Sequence, residues 1–378
     1  MSIRIAHIGD VHYRSLSRHD EYRSVFTEFC QKVKEMNVDV IYVSGDIYHT
    51  KTQGISPEVI DEMSWWFSAL AEVAPTHVIL GNHDGNMVNS QRQDAITPII
   101  NALNNPRIHL YKQSGTYPTG IKGFNWSVFS CFDEKGWKDV RPVEDEVNIA
   151  CYHGCVVGST TDQNWELDGE IKLSFFDDYE FVMLGDIHKF QFLNDKKTAA
   201  YPGSTIQQNY GEDPNKGFLV WDIRTKDDFD VSFHRLSNPH PFVTIEWKGS
   251  VPETIREAKK HKTGCRFRIK TTETIPQIEI KQFHNELKIQ RSPKEVVWKF
   301  DQAPDNNNLI DAENKLVKED LRDPKAQVQI LKDYVFDGKF NEDEWDDIEK
   351  LVNRYITLAT QSEDVTRHTK WSIKSLEF

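Results

Sequence analysis

Five short elements of this chain carry side chains suited to holding metal ions and acting on phosphates. In order they are Asp10-Val11-His12, Gly45-Asp46, Gly81-Asn82-His83-Asp84, His153-Gly154 and Gly185-Asp186-Ile187-His188. The candidate donors Asp10, His12, Asp46, Asn82, His153, Asp186 and His188 are oxygens and imidazoles, without a thiolate. That mixture suits Mn²⁺, Mg²⁺ or Fe²⁺ better than a structural zinc site. It is also too many donors for one tetrahedral ion and about right for two, with water completing the shells. A carboxylate such as Asp46 can bridge two ions roughly 3.5–4 Å apart, and such a pair can hold a hydroxide and clamp a phosphate. Each element alone is weak, because a single histidine after a strand is more often structural than a ligand. His7, His19, His77, His109 and His234 are accordingly read as ordinary histidines. Cys151 and Cys155 flank His153, but no second cysteine pair completes a tetrahedral site, and Cys151 reads as the end of a buried strand.

The five elements gain weight from what precedes them. Apolar runs of strand length stand at 3–8, 40–44, 76–80, 147–152 and 181–184, and each ends in one of the elements. Strand ends on one edge of a sheet converge, so donors far apart in sequence can meet. Residues 21–37 have helical spacing at Val25, Phe29 and Val33. Ser56-Pro57-Glu58 reads as a helix start, with a capping hydroxyl, a proline in the first turn and an acid beside it. The alternation implies βαβ units. After Arg107 strands dominate, at 108–112, 126–131, 147–152, 181–184, 198–201, 218–222 and 231–236. The expected fold is therefore α/β: two packed sheets flanked by helices over residues 1–240. A small α/β domain follows over 241–300, with strands at 242–247, 265–271 and 295–300 and helices at 252–262 and 276–288. A polar linker at 301–310, containing DQAPDNNN, leads to a helical segment at 311–378 that ends in the strand-like WSIKSLEF.

Composition narrows the class. Hydrophobic residues make up 38% and charged ones 28% of 378, a soluble globular profile. No apolar run approaches the roughly 20 residues a membrane span needs, and the N-terminus has no secretory pattern. The cysteine count is odd, at 5, and its spacing is not that of a disulfide framework, which suggests a reducing compartment. A cytoplasmic protein is expected, in a host cytoplasm if viral or a nucleus if eukaryotic. The net charge is -13, unevenly spread. Residues 1–247 carry 22 basic against 35 acidic side chains, residues 248–299 carry 13 against 6, and residues 300–378 carry 11 against 18. An acidic body beside one basic segment suits a metal-loaded domain next to a phosphate-gripping one; a solvated helix face at Lys259, Lys260 and Lys262 is the plain alternative.

The ordered elements resemble those of the calcineurin-like metallophosphoesterase superfamily. Within it, Gly45-Asp46-Ile47-Tyr48-His49, Gly81-Asn82-His83-Asp84, and Tyr201-Pro202-Gly203-Ser204 followed by Gly217-Phe218-Leu219-Val220 resemble the SbcD-type nucleases of the Mre recombination-nuclease family. The likeness covers roughly residues 1–240, with 240–300 matching by position and architecture only. It implies a two-sheet sandwich, a DNA-contacting capping domain and a helical segment that docks on an SMC-like ATPase. Asp10, His12 and His188 would bind one ion, Asp46 would bridge, and Asn82, His153 and Asp186 would bind the other. His83 would contact the scissile phosphate and protonate the leaving oxygen, His49 would lie near the phosphate, and Asp84 would accept from His83. The family usually has Gly-His-x-His where this chain has Gly185-Asp186-Ile187-His188. An aspartate there hardens the site toward two Mn²⁺, with Mg²⁺ also possible.

The resemblance implies a manganese-dependent DNA nuclease, exonucleolytic from 3′ to 5′ and endonucleolytic on single-stranded or hairpin DNA, in DNA repair and recombination. Expected DNA contacts are Arg266, Arg268 and Lys270. Family members form homodimers through helices here expected at 56–71, with Trp65, Trp66 and Phe67, and at 89–103. The ATPase would meet Trp345, Ile348, Leu351, Val352 and Tyr355. WSIKSLEF resembles the opening strand of an SMC-like ATPase head, as a fused nuclease–ATPase would have. Two other functions compete. One is a phosphoesterase acting on a non-DNA phosphodiester, since fold does not set substrate; GDIYHT here differs from the arginine-containing GD-x-x-D-R-G of the superfamily's protein phosphatases. The other is a non-enzymatic scaffold for the ATPase.

Overall fold

The structure, a computed structural model, describes residues 1–49, 55–89, 92–169, 171–300 and 350. The linker expected at 301–310 and the segment at 311–378, with Trp345, Ile348, Leu351, Val352 and Tyr355, lie outside the described residues, Lys350 excepted. Met1–Phe300 form one compact unit.

The apolar runs become strands because both of their faces are covered. In β1 (Ile3–Ile8) and β2 (Val40–Val43), Ile3, Ile5, Val40 and Tyr42 pack with Trp126, Ile149, Cys151 and Met183 of a facing sheet. The alternate residues Ala6, Ile8, Ile41 and Val43 pack on helices α1 (His19–Glu35) and α2 (Pro57–Val73), against Phe26, Phe29, Met63 and Trp66. Strands β3 (Thr76–Ile79) and β4 (Ile108–Tyr111) extend this sheet in parallel, and β11 (Gly217–Ile223) and β12 (Phe229–Arg235) close its other side, giving the order β12-β11-β1-β2-β3-β4. The facing sheet has the order β5-β6-β7-β8-β10-β9. Its parallel centre is β6 (Phe124–Phe129), β7 (Val147–His153), β8 (Phe181–Gly185) and β10 (Ala199–Tyr201), edged by antiparallel β5 (Gly115–Pro118) and β9 (Gln191–Phe192). The expected two-sheet sandwich flanked by helices is thus the observed fold. The two edge strands β5 and β9 were not legible, because their side chains are only partly buried and carry no clear alternation.

One expectation about helices holds and another changes. Ser56 does cap α2, its Oγ accepting from Val59 N at 3.3 Å, with Pro57 in the first turn. The helix expected at 89–103, however, is only α3 (Thr97–Leu103). Pro98 lacks an N–H and clashes with a preceding helical turn, so a helix starts there rather than running through. Asp94 Oδ1 accepts from Ile96 N at 3.0 Å and Thr97 N at 2.6 Å at that start. Of the three aromatics offered for a dimer interface, Trp66 and Phe67 are fully buried in the core. Trp65 is partly buried, with the Arg23 guanidinium 4.7 Å from its ring centre.

The third sheet is parallel, in the order β13 (Phe242–Glu246), β14 (Arg266–Thr271), β15 (Glu295–Phe300), with α4 (Val251–Ala258) and α5 (Gln277–Arg291) as crossovers. Alternation along β14 buries Phe267 and Ile269 in the domain's own core and puts Arg266, Arg268 and Lys270 on the opposite face. That face meets residues of the larger body, and two of the three have partners there. Arg266 pairs with Glu21 of α1, Nη1 to Oε2 at 2.9 Å and Nη2 to Oε1, and also donates to the His240 carbonyl. Arg268 donates to Tyr210 O at 3.0 Å and Thr244 Oγ1 at 3.1 Å and lies over the Tyr210 ring. Lys270 sits in register between Glu246 and Lys299. Glu21 holds Arg18 as well, and the side chains of Arg18, Glu21 and Arg266 are 4%, 3% and 12% exposed. Removing one partner of a buried ion pair leaves an uncompensated charge. Glu21→Ala, which strands two guanidinium groups, should lower stability by about 3 kcal/mol, read as a lower urea midpoint; an unchanged midpoint would mean the arginines find other partners.

Candidate metal centre

Parallel strands place the donors. β1, β2 and β3 run in one direction, so Asp10, His12, Asp46, Asn82 and His83 leave the same edge of the first sheet. β7 and β8, also parallel, deliver His153, Asp186 and His188 from the second. The segments after β1 and β2 run side by side, Asp10 N to Gly45 O at 3.1 Å and His12 N to Asp46 O at 2.9 Å. Four donor residues adopt left-handed backbone: Asp10 (φ 51°), His12 (φ 54°), Asp46 (φ 51°) and Asp186 (φ 100°). Such conformations cost roughly 1 kcal/mol or more each and persist where the surroundings over-determine them. Two glycines allow the approach. A Cβ on Gly45 (φ +94°) would come within 2.6 Å of His153 Nδ1, and one on Gly81 would collide with Asp46 N and Oδ1.

The side chains meet in three overlapping groups, each with one ligand atom per residue within 4.8 Å of the others: Asp10, His12 and His188; Asp10, Asp46 and His153; and His12, Asp46 and His83. Asp10, His12 and Asp46 are shared between groups. Asn82 Nδ2 donates to Asp186 Oδ1 at 3.0 Å, and that oxygen lies 3.8 Å from His153 Nε2, so Asp186 and Asn82 border the second group.

Hydrogen bonds aim the imidazoles. His153 Nδ1 donates to the Ser44 carbonyl at 2.6 Å, leaving Nε2 without a hydrogen-bond partner, 3.3 Å from Asp46 Oδ1. His188 Nδ1 is held by Glu212 Oε1 at 2.8 Å, and its Nε2 faces His12 Nε2 at 2.9 Å. His83 Nδ1 donates to the His49 carbonyl at 2.7 Å. Its Nε2 lies 4.0 Å from Asp46 Oδ2, and its side chain is 35% exposed where His12 and Asp46 are nearly sealed, so His83 stands at the rim.

Electrostatics show what the cluster lacks. Burial pushes the Asp10 carboxyl up to about 7, with Asp46 and Asp186 adding to the rise and His153 and His188 opposing it. Burial also opposes charge on Asp46, but His153, His12 and His83 outweigh it and hold the carboxyl below its usual range. Burial disfavours protonation of His153, yet Asp46, Asp186 and Asp10 raise it well above an ordinary imidazole. Asp10 Oδ2, Asn82 Oδ1 and His153 Nε2 are buried with no hydrogen-bond partner. Clustered carboxylates, unpartnered acceptors and imidazoles turned toward one another fit divalent cations of the hard, oxygen-and-nitrogen-seeking kind.

Several contacts were not legible in the sequence. Asp84 does not accept from His83. Its Oδ1 takes the N–H groups of Ile47 and Tyr48, both at 2.8 Å, and its Oδ2 that of Gly81 at 2.8 Å, so it shapes the loops after β2 and β3. The fully buried carboxylate is spent on backbone donors, and the carbonyl of His49 orients His83 instead. The His49 ring faces Arg14, whose Nη1 lies 2.9 Å from its Nε2; since arginine only donates, Nε2 accepts. Burial, with Arg14 and neighbouring histidines, lowers His49 to about 4. Glu212 orients His188 as a carboxylate–histidine pair. Burial raises its carboxyl, but His188 and Lys216 bring it down to about 2. Arg14 follows His12 by two residues; Glu212 carried no local signal.

The chain belongs to the calcineurin-like phosphoesterase family, whose model matches residues 3–195. It is 35% identical over 321 residues to an uncharacterized protein of Acanthamoeba polyphaga mimivirus, covering 80% of this chain but only 23% of that protein. It is 26% identical over 295 residues to the SbcD component of the SbcCD nuclease of Bacillus subtilis, covering 66% of this chain and 73% of the relative. It is 23% identical over 277 residues to the DNA double-strand break repair protein Mre11 of Archaeoglobus fulgidus, covering 65% and 59%.

Metal uptake should be proton-linked, because a cation needs Asp10 and His153 bare while the cluster alone holds protons on them. Affinity for Mn²⁺ should therefore rise as pH rises through about 7. Calorimetric titrations in two buffers of different ionisation enthalpy should reveal proton release, and Asp46→Ala should abolish tight binding. Identical heats in both buffers would contradict the linkage.

Proposed function

We propose that the chain is a two-metal nuclease acting on DNA. The observation that carries this reading is the placement of His83, a partly exposed imidazole fixed through Nδ1, with Nε2 beside a cluster able to hold two divalent ions. Asp10, His12 and His188 would hold one ion, and Asn82, His153 and Asp186 the other, with Asp46 between them. The ions would supply an activated hydroxide and neutralise charge on the phosphate. His83 Nε2 would deliver a proton to the oxygen that leaves, general-acid work of the kind a rim imidazole can do. Arg14 and His49 form the neighbouring wall, where Arg14 adds positive charge. The likeness to the SbcCD and Mre11 proteins over about two thirds of the chain supports DNA as substrate. It also supports, as further proposals, Mn²⁺ as the preferred ion, an SMC-like ATPase as partner, a homodimer, and a role in end processing.

A second reading, a phosphodiesterase acting on a non-DNA substrate, is favoured by one observation. Arg266 and Arg268, expected to grip DNA, are committed to Glu21, Tyr210 and Thr244. No helix among the described residues is long and apolar enough to cross a membrane.

The test is cleavage of oligonucleotide DNA with Mn²⁺ beside a generic chromogenic phosphodiester. DNA should be cut faster; the reverse ranking would favour the second reading. His83→Ala should bind Mn²⁺ nearly as wild type does and lose about 10²-fold in turnover. Full activity in that variant would assign His83 to structure.

A further inference from the structure

Trp165 is the only exposed tryptophan among the described residues, at 71% exposure. Leaving a large aromatic in water forgoes stabilisation that burial would supply, yet the backbone that carries this one is fixed. It ends a tight turn in which Thr161 N donates to Trp165 O at 2.9 Å and Trp165 N to Thr161 Oγ1 at 3.2 Å. The turn is tied to the element that carries His188. Lys189 Nζ donates to Thr160 Oγ1 at 2.8 Å and Asn164 Oδ1 at 2.7 Å, and Gln191 Oε1 accepts from Thr160 N at 2.9 Å. On the other side Asp162 Oδ1 accepts from Asp213 N, and Asp162 Oδ2 lies 3.4 Å from Lys216 Nζ. Between the turn and the metal centre lies an open cavity of about 390 Å³ lined by Trp165, Leu167, Asn209, Asp186 and His188, among others.

The charged groups that line the cavity are already spoken for: Asp162 and Glu212 pair with Lys216, Glu212 also holds His188, and Lys189 donates to Thr160 and Asn164. What it still offers is the Trp165 ring and the apolar side chain of Leu167, a surface on which an uncharged base can stack. A strand whose phosphodiester lies over the metal ligands would carry a neighbouring base toward this wall. Resting on the DNA-nuclease reading, we propose that Trp165 forms a base-stacking subsite for the nucleotide next to the scissile bond. Stacking is tolerant of base identity, so the subsite recognises a strand with an unpaired base, not a sequence.

The experiment uses the full chain with Mn²⁺ and a single-stranded oligonucleotide with one cleavable linkage, the others blocked as phosphorothioates. The nucleotides flanking that linkage carry either ordinary bases or abasic residues. Trp165→Ala should lower kcat/KM on the base-containing substrate at least about fivefold, Trp165→Phe should recover most of it, and Mn²⁺ titration should show that both variants keep the metal centre. Removing the flanking bases should lower the wild-type rate by a similar factor and leave Trp165→Ala unaffected, because the two changes delete one contact. Equal wild-type rates on both substrates, or additive losses, would overturn the subsite and leave the nuclease reading standing. No cleavage of either DNA by wild type would overturn the nuclease reading, and the subsite with it.

Discussion

The constraint on which the rest depends is the burial of Asp10 and Asp46, with the half-buried Asp186 close by, beside imidazoles where parallel strand ends of two sheets converge. Like charges out of water repel, and each needs a hydrogen bond or a cation. The fold supplies some relief through backbone donors: His83 N to Asp46 Oδ1 at 2.8 Å and Asp186 N to Asp10 Oδ1 at 3.0 Å. The remaining acceptors and the unpartnered His153 Nε2 are what divalent ions would satisfy. The left-handed backbone at four donor residues is the conformational cost of turning so many polar groups onto one point.

The segment joining β1 to α1 links this point to distant parts of the molecule. It supplies Asp10 and His12 to the centre, Arg14 to His49, and Arg18, which with Glu21 in the first turn of α1 forms the buried ion network that reaches Arg266 on β14. The third sheet is therefore anchored through the element that also carries two metal donors. Its arginines Arg266 and Arg268 face the body because the alternation of β14 buries Phe267 and Ile269 on the other side. The family assignment and the relatives agree with a phosphoesterase; the choice among phosphodiesters rests on how the walls around the centre are built.

Much was legible from local pattern. Short apolar runs, covered on both faces, had to be strands, and polar elements after them had to lie at strand ends, so the donor residues could be named from the sequence. The start of α2 was written in Ser56-Pro57-Glu58, whereas the helix expected at 89–103 ran past the stop that Pro98 sets, and α3 begins only at Thr97. What only the tertiary structure decided is partnership across long sequence separations. Glu212 holds His188, Ser44 holds His153, the His49 carbonyl and not Asp84 holds His83, Arg14 caps the His49 ring, and Glu21 claims Arg266. A hydrogen-bond partner is selected by where two chain segments come to lie and by which donors are still unmet there. Sequence periodicity records which face of an element is buried, but it carries no information about which polar group waits on the other side.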